Sequence, residues 1–282
     1  AEWPSGRSGT PIWLRTPTGA RAVFDVNNDG WSDYVGTWVS TTSLRVWFGT
    51  DSSARSSWSS ESGTSLRTLT APAAVAGVGD VNGDGFTDVL VGSAPRAWVY
   101  YGSSAGLDRS SVVPVAPRSD GFGESVSAAG DLNGDGYADL LVRVRRAGAA
   151  VYLGGPSVTL HRWIASPTSD DLVVSRAGDV NGDGYGDLIA VPVASGAGWL
   201  YLGGATGLSE SPVVLRDGPW TDSDGAVAAP GDINGDGFDD VYLGVASSNE
   251  VRVLYGSASA PLTRVETLHG TAGSEFGLAV LE

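Results

Sequence analysis

A nine-residue acidic segment occurs five times in this chain of 282 residues. The copies begin at Asp25, Asp80, Asp131, Asp179 and Asp232, so successive copies start 55, 51, 48 and 53 residues apart. In every copy positions 1, 5 and 9 are aspartate, position 3 is asparagine and position 6 is glycine. About 20 residues after each start comes a second marker that ends in glycine: "VWFG", "VYYG", "VYLG", "LYLG" or "VLYG". Two markers in register over five copies predict a fold made of equivalent units.

Each unit has the pattern of β structure. Short runs of small and branched residues such as "AVAGVG" precede the acidic segment, and apolar runs such as "DVLVGS" follow it. Runs of this length bounded by Gly, Asp and Ser are typical of strands, and no stretch has a sustained helical period. With the second marker and one strand in the variable segment, each unit has about four strands, the content of one propeller blade. We therefore predict an all-β protein, a β-propeller of four-stranded blades.

The repeats predict a single propeller domain over residues 1–282. Five complete repeats span approximately residues 20–69, 70–119, 120–169, 170–221 and 222–270, and partial units occupy residues 1–19 and 271–282. The two partial units together lack the middle strands of a blade. Either the termini meet to close the ring or the chain is a piece of a longer one, and we favour the second reading.

The acidic segments have the composition of a calcium loop. Calcium takes six to eight oxygen ligands, and here oxygen donors alternate around a glycine that tolerates positive φ. An EF-hand would need glutamate at position 12, where this chain has Gly36, Val91, Val142, Ala190 and Leu243. Magnesium fits less well because it prefers a rigid octahedron that keeps several waters. The remaining alternative is that the segments are only Asp/Asn/Gly turns.

We predict about five calcium ions, one in each loop. The ligands would be the side chains at positions 1, 3, 5 and 9 and the backbone carbonyl at position 7. These residues are Asp25, Asn27, Asp29, Trp31 and Asp33; Asp80, Asn82, Asp84, Phe86 and Asp88; Asp131, Asn133, Asp135, Tyr137 and Asp139; Asp179, Asn181, Asp183, Tyr185 and Asp187; and Asp232, Asn234, Asp236, Phe238 and Asp240. At position 4 of the first copy Asn28 replaces glycine, and asparagine is the non-glycine residue that best tolerates the left-handed region.

The charge of the chain agrees with bound cations and excludes several function classes. The net charge is -15, and 15 of the 32 acidic residues lie in the five loops, so five divalent ions would bring it to about -5. A net negative charge disfavours nucleic acid as a partner. No apolar run reaches the roughly 20 residues that cross a bilayer, so no membrane insertion is expected. No phosphate-binding loop, nucleophile elbow or catalytic carboxylate pair is recognisable, so we predict a protein that is not an enzyme.

The segment "DGFGESVSAAGDLNGDGYADLLV", from Asp120 to Val142, resembles an FG-GAP repeat. This is the blade unit of the integrin α-subunit head, of many bacterial surface proteins and of some lectins. The resemblance implies a calcium-loaded propeller that is secreted or lies at the cell surface. The chain departs from the pattern in having Phe-Gly ahead of the first strand of a repeat only at Phe122-Gly123 and Phe276-Gly277. It also carries Asn at position 3, where integrin loops often carry Asp, which predicts weaker calcium binding.

We expect a binding or adhesion module with an extracellular carbohydrate or protein ligand, and we favour carbohydrate. Trp163 and Trp220 lie in the variable stretches "HRWIA" and "GPWTD", where an exposed indole could pack on a sugar ring. The alternative for each tryptophan is that it caps the outer edge of a blade. The alternative functions are a structural spacer, an integrin-like protein-binding domain and, less favoured, a polysaccharide-active enzyme. His161 and His269 stand alone in variable segments and are interpreted as surface residues; the sequence indicates no oligomeric state.

Overall fold

The computed structural model describes residues 21–38, 43–48, 74–107, 113–115, 121–144, 146–166, 171–192, 197–215, 226–245, 248–259, 262 and 264–271. These residues form 19 β-strands in five antiparallel sheets. No helix among them is long and apolar enough to cross a membrane.

Within each sheet the strands are hydrogen-bonded in chain order. The first sheet contains β1 (Arg21–Phe24), β2 (Asp33–Trp38) and β3 (Ser43–Trp47). The second contains β4 (Ala74–Gly79), β5 (Asp88–Ser93), β6 (Arg96–Tyr100) and β7 (Val113–Val115). The third contains β8 (Phe122–Gly130), β9 (Asp139–Val144), β10 (Gly148–Leu153) and β11 (Thr159–Ala165). The fourth contains β12 (Leu172–Gly178), β13 (Asp187–Pro192), β14 (Gly198–Tyr201) and β15 (Val213–Leu215). The fifth contains β16 (Ala226–Gly231), β17 (Asp240–Val245), β18 (Glu250–Tyr255) and β19 (Arg264–His269).

Burial follows the place of each strand in its sheet. Every residue of β5 and β13 is buried, because these second strands have a strand on each side and a neighbouring sheet over each face. At the outer edge, β19 is mostly exposed, including Val265 and Leu268. A continuous apolar run therefore marks the second strand of a sheet, and a mixed run marks the outer one.

The hydrophobic core is divided into clusters that each lie between two consecutive sheets. One cluster joins Leu90 of β5 to Phe122 of β8 and Leu140 of β9. Similar clusters join the first sheet to the second, the third to the fourth and the fourth to the fifth. The first strands of consecutive sheets also contact one another, β1 with β4, β4 with β8, β8 with β12 and β12 with β16. Sheets that cover one another's faces around their first strands are the blades of a β-propeller, which confirms the predicted fold.

The predicted count of about four strands in each unit is confirmed in four blades. In the first blade three strands are described, and residues 49–73, where its fourth strand was expected, are outside the described ranges. The partial units predicted at residues 1–19 and 271–282 also lie outside them, apart from Thr271.

Candidate metal centres

Each acidic loop joins the first strand of a blade to the second, so the five loops lie at one end of the propeller. The backbone bends through positive φ at position 6, from 85° at Gly30 to 92° at Gly237. Position 4 is also left-handed, with φ of 68° at Gly134 and 54° at Asn28. The sequence prediction that Asn28 adopts this conformation is confirmed.

The aspartate at position 1 holds the loop in shape. In the third loop, Asp131 Oδ1 accepts hydrogen bonds from the backbone N–H groups of Gly134 at 2.7 Å and Asp135 at 3.2 Å. Its Oδ2 accepts one from the Gly136 N–H at 2.9 Å. In all five loops the N–H groups of positions 5 and 6 donate to the first aspartate in this way. The loop conformation is therefore built by its own carboxylate.

Positions 3 and 5 are bonded to each other. Asn133 Nδ2 donates to Asp135 Oδ2 at 2.8 Å, and Asp135 Oδ1 accepts from the Tyr137 N–H at 3.0 Å. Both bonds recur in all five loops. The asparagine Oδ1 in turn accepts the backbone N–H of position 5 in all five loops, at 3.4 Å in the third. An aspartate at position 3 would place two carboxylates at this contact, so asparagine suits the pair.

Position 9 has a different environment, because its aspartate is completely buried in all five loops. Asp139 Oδ2 accepts from the Leu132 N–H at 2.7 Å, and Oδ1 accepts from the Gly154 N–H at 2.8 Å. Gly154 is the last residue of the second repeated marker, so this carboxylate joins the loop to the end of the third strand. The marker ends in glycine because a Cβ on Gly154 would lie 2.4 Å from the Ala138 carbonyl oxygen. The same two bonds are made by Asp88, Asp187 and Asp240.

Burial makes these carboxylates hard to ionise. Desolvation raises the pKa of Asp88 and of Asp187 to about 7 and that of Asp139 to about 6, although their backbone hydrogen bonds act in the opposite direction. The aspartates at positions 1 and 5 of the same loop raise each of these pKa values further. Each of these loops thus brings three carboxylates into mutual repulsion beside the core, which a divalent cation would relieve.

The residues fit calcium by their chemistry and charge. Each loop offers carboxylate, amide and backbone carbonyl oxygens with no softer donor, the ligand type that calcium takes. The side chains are held by bonds within the loop, and among the described residues no three His, Cys, Asp or Glu side chains converge tightly enough to enclose an ion. The ligand set from positions 1, 3, 5, 7 and 9 therefore stays a prediction.

Neighbouring loops are connected to each other by backbone hydrogen bonds. The Ala138 N–H at position 8 of the third loop donates to the Asp80 carbonyl at position 1 of the second, at 2.8 Å. The Gly155 N–H donates to the Val81 carbonyl, also at 2.8 Å. The third and fourth loops, and the fourth and fifth, are joined by the same two bonds. The backbone-to-backbone bonds of the third, fourth and fifth loops therefore run in one direction, with each of these loops donating to the loop before it.

The aromatic residue at position 7 packs on the preceding loop. A Cβ built on Gly83 would lie 2.5 Å from Tyr137 Cε1, and one on Gly134 would lie 2.8 Å from Tyr185 Cε1. Gly182 is covered in the same way by Phe238. The sequence predicts that position 7 offers its backbone carbonyl to the metal while its ring packs elsewhere, without indicating the partner of the ring. The signal that could have revealed this contact is the joint recurrence of an aromatic at position 7 and glycine at position 4.

The first and last loops differ from those between them. Trp31, at position 7 of the first loop, is 45% exposed. Ile233, at position 2 of the last loop, is 42% exposed, whereas the corresponding residues of the other four loops are completely buried. The loop chain thus has an unmatched ring at one end and an unmatched apolar residue at the other, within the described part of the protein.

The described residues include Trp163, one of the two predicted ligand platforms, and both histidines. Trp163 lies on β11, is half-buried and packs against the core cluster between the second and third blades, a placement that favours the capping role. Trp220 falls outside the described residues. His161, interpreted as a surface residue, is half-buried, and its Nε2 accepts the Leu208 N–H of the next blade at 3.1 Å. His269 is exposed as expected.

Comparison with known families gives one family match. The FG-GAP-like repeat family matches residues 25–91, 80–142 and 179–243, more than half of the chain.

Curated relatives are integrin α chains. Integrin alpha-7 of Mus musculus is 30% identical over 171 residues, which cover 48% of this chain and 13% of that protein. Integrin alpha-E of Mus musculus is 38% identical over 104 residues, which cover 31% of this chain and 9% of that protein. The chain thus corresponds to a small part of these relatives.

Two solved structures share the fold. The BP39L lectin from Burkholderia pseudomallei superposes with a TM-score of 0.63 at 16% identity, over 92% of this chain and 75% of the lectin. Virginiamycin B lyase from Staphylococcus aureus superposes with a TM-score of 0.54 at 15% identity, over 93% of this chain and 73% of the lyase. At such identities the likeness shows the fold alone.

Proposed function

Because this chain belongs to the FG-GAP-like repeat family, we propose that it is a calcium-stabilised extracellular β-propeller that acts as a binding module. The observation that carries the proposal is the fivefold recurrence of an all-oxygen loop with a buried aspartate at position 9. In the second, third and fourth loops two neighbouring carboxylates add to the burial that raises the pKa of this aspartate. A rigid ring of blades positions surface loops without moving them, which suits recognition.

The calcium ligands would come from positions 1, 3, 5, 7 and 9 of each loop. Bound calcium would supply positive charge that balances the three carboxylates. The backbone N–H groups of positions 5 and 6 orient the first aspartate, and the N–H groups of position 2 and of the marker glycine fix the last one. In the third loop these two aspartates are Asp131 and Asp139.

The expected affinity suits the outside of the cell. With asparagine at position 3, each site has three formal negative charges from its loop. Affinity falls as the number of charged ligands falls, and extracellular calcium modules bind with Kd of about 10⁻⁴ to 10⁻³ M. Sites of this strength would be filled only where calcium is plentiful, so we place the protein in a secreted or cell-surface setting.

Carbohydrate is the ligand class we favour, and protein is the second. The carbohydrate proposal rests on Trp220, in the variable stretch "GPWTD" of the sequence, because Trp163 packs against a core cluster. The protein alternative is supported by the integrin α relatives. A spacer without a ligand, or an enzyme acting on polysaccharide, is less well supported.

The proposal is tested in two steps. Titration calorimetry on chelator-stripped protein should show heat of calcium binding, and the absence of any heat would reject the calcium part. A screen of glycans and matrix proteins, with and without calcium, should then show a retained ligand without turnover. Release of a product would indicate an enzyme, and no retention of any probe would indicate a spacer.

A further inference from the structure

A cavity of about 440 Å³ opens at the loop end of the propeller. Its wall is made by the ends of the first strands of the third, fourth and fifth blades, including Gly130, Arg176 and Pro230, and by the loops that follow them. First strands line the axis of a propeller, so this cavity lies at the mouth of the central channel. Its volume is within the range of about 300 to 1,000 Å³ that small-molecule sites occupy.

Arg176 is a departure from the repeat. It pairs with Leu188, the residue directly after the buried aspartate of the fourth loop. The equivalent residues, which pair with the same position of their own blades, are Val23, Gly77 and Ala128. In the fifth blade the ladder is shifted and the matching residue in the sequence is Ala229. Four blades fold with a small or branched apolar residue here, so blade packing does not require an arginine.

The guanidinium has capacity for a ligand. Arg176 is half-buried and also interacts within the protein, which holds its long side chain in the wall. A guanidinium carries five N–H donors in a rigid fork, so a contact within the protein and a contact with a ligand are compatible.

The charges of the wall select the class of ligand. Beside Arg176 the wall carries Asp131, Asp179 and Asp239, so acidic groups outnumber basic ones and an anionic ligand would be repelled. A cationic ligand would be repelled by the Arg176 guanidinium. A neutral polyol suits both, because each hydroxyl accepts from an N–H and donates to a carboxylate or carbonyl oxygen.

Two further residues of the wall favour a sugar ring over another polyol. Asp239 is held by a hydrogen bond from the Asp179 N–H to its Oδ2 at 2.8 Å, which fixes an acceptor at the cavity. Tyr185 contributes a half-buried aromatic ring, the kind of surface on which the apolar face of a pyranose packs.

We propose that this axial cavity binds a neutral saccharide, with Arg176 donating to its hydroxyl groups and Asp239 accepting from them. The inference rests on the proposed binding function but places the ligand at the channel mouth instead of at Trp163 or Trp220.

Saturation-transfer NMR on the calcium-loaded full chain tests the proposal, with the methyl glycosides of galactose, mannose, glucose and fucose as probes. At least one glycoside should receive saturation from the parent. Arg176→Ala should weaken its binding by about tenfold or more, the effect of losing hydrogen bonds to a charged donor. Arg176→Lys keeps the charge without the fork and should fall between the two. Arg143→Ala, on β9 and outside the cavity wall, is the matched control and should bind as the parent does.

The possible results distinguish a wrong site from a wrong ligand class. A glycoside bound equally by the parent and by Arg176→Ala would overturn this site and leave a carbohydrate-binding function intact elsewhere. No bound glycoside at millimolar concentration would overturn the site, while calcium binding would still be measured separately by calorimetry. A preference for methyl galacturonate over methyl galactoside would overturn the ligand class. If Arg176→Ala lowers the melting temperature, Asp239→Asn replaces it, and parent-like binding by that variant would count against the proposal.

Discussion

At the scale of single residues, the aspartate at position 9 is part of the framework as well as a predicted ligand. In the third loop the two oxygens of Asp139 accept N–H groups from two different segments, one from the buried Leu132, where water does not replace a lost partner, and one from the half-buried Gly154. The aspartate at position 5 is exposed, and its bonds stay within the loop. Residues that look equivalent in the sequence therefore have unequal energetic roles.

Asp139→Ala should destabilise the protein even when calcium is absent. The substitution leaves the buried Leu132 N–H without an acceptor, which costs about 1 to 3 kcal/mol, and also removes the acceptor of the half-buried Gly154 N–H. Asp135→Ala is the matched control and should lower stability mainly in the presence of calcium. Urea unfolding of both variants with and without calcium measures the difference. Equal stability of Asp139→Ala and the parent in calcium-free buffer would contradict the framework role.

The calcium-free protein should become less stable as the pH rises from about 4 to about 7. An aspartate in the unfolded chain ionises near a pKa of about 3.9, whereas the pKa values of Asp88, Asp139 and Asp187 are raised to between about 6 and about 7. Between these values the folded state binds more protons than the unfolded state, so the free energy of unfolding falls with increasing pH.

His161 acts in the opposite direction. Desolvation and Arg162 lower its pKa in the folded protein. Acidification therefore protonates this histidine first in the unfolded chain, which lowers the free energy of unfolding. One histidine opposes three aspartates, so the free energy of unfolding should still fall as the pH rises. Urea midpoints measured at intervals from pH 4 to pH 7.5 on stripped protein test this, and saturating calcium should flatten the decline. A midpoint that rises throughout this range without calcium would show that these carboxyls are ionised in the fold.

At the scale of strands and loops, the sequence determined what a blade contains but not how blades meet. The strand pattern, the loop and the left-handed Asn28 are local properties, and each was predictable from residues close together in the chain. The contact of Tyr185 with Gly134 joins residues 51 positions apart, and the bond from the Leu208 N–H to His161 spans 47. Their partners depend on how two blades face each other, which the repeat implies without specifying. Arg176 was overlooked because a single exception has no pattern of its own.

Gly134→Ala should destabilise the protein more than Gly136→Ala does. Both glycines have positive φ, at 68° and 86°, so both substitutions strain the backbone. Only at Gly134 would the added Cβ meet a ring, Tyr185 Cε1 at 2.8 Å, since nothing lies within 4 Å of a Cβ at Gly136. The strain alone costs roughly 1 kcal/mol, and crowding of a packed ring adds about 1 to 3 kcal/mol.

Thermal or urea unfolding of the two variants measures the difference between them. Adding Tyr185→Ala to each variant should remove the extra cost of Gly134→Ala and leave that of Gly136→Ala unchanged. The same loss of stability for the two single variants would show that the ring does not restrain the preceding loop.

At the scale of the whole molecule, stability should depend on all five loops. Each core cluster is shared by two blades and consecutive loops are bonded, so the structural unit is the interface between blades. In such an array the stability is approximately a sum of unit and nearest-neighbour terms. Weakening one loop therefore affects the blades on both sides of it.

Removal of calcium should lower the melting temperature in one cooperative step. An ion that binds only the folded state adds about 2.7 kcal/mol for one site when its concentration is a hundredfold above Kd. Asp135→Ala should reproduce part of this loss, because it removes a predicted ligand from one of five loops. Differential scanning calorimetry with calcium and with chelator provides the measurement, and a melting temperature that chelator leaves unchanged would refute a stabilising role for the ion.

The directional bonding of the loops has a consequence for how such a chain grows during evolution. The third and fourth repeats each carry both halves of the joint, a ring and a position 8 N–H that contact the preceding loop and a position 4 glycine and two carbonyls that contact the following one. A tandem duplication of one whole repeat inserts a complete joint and requires no compensating change in its neighbours. A recombination point inside the acidic loop would also preserve the fit, because the loops are nearly identical. Duplication of a whole repeat would therefore preserve the bonds between neighbouring loops, and an exception such as Arg176 can occur in one copy while the other copies keep the common residue.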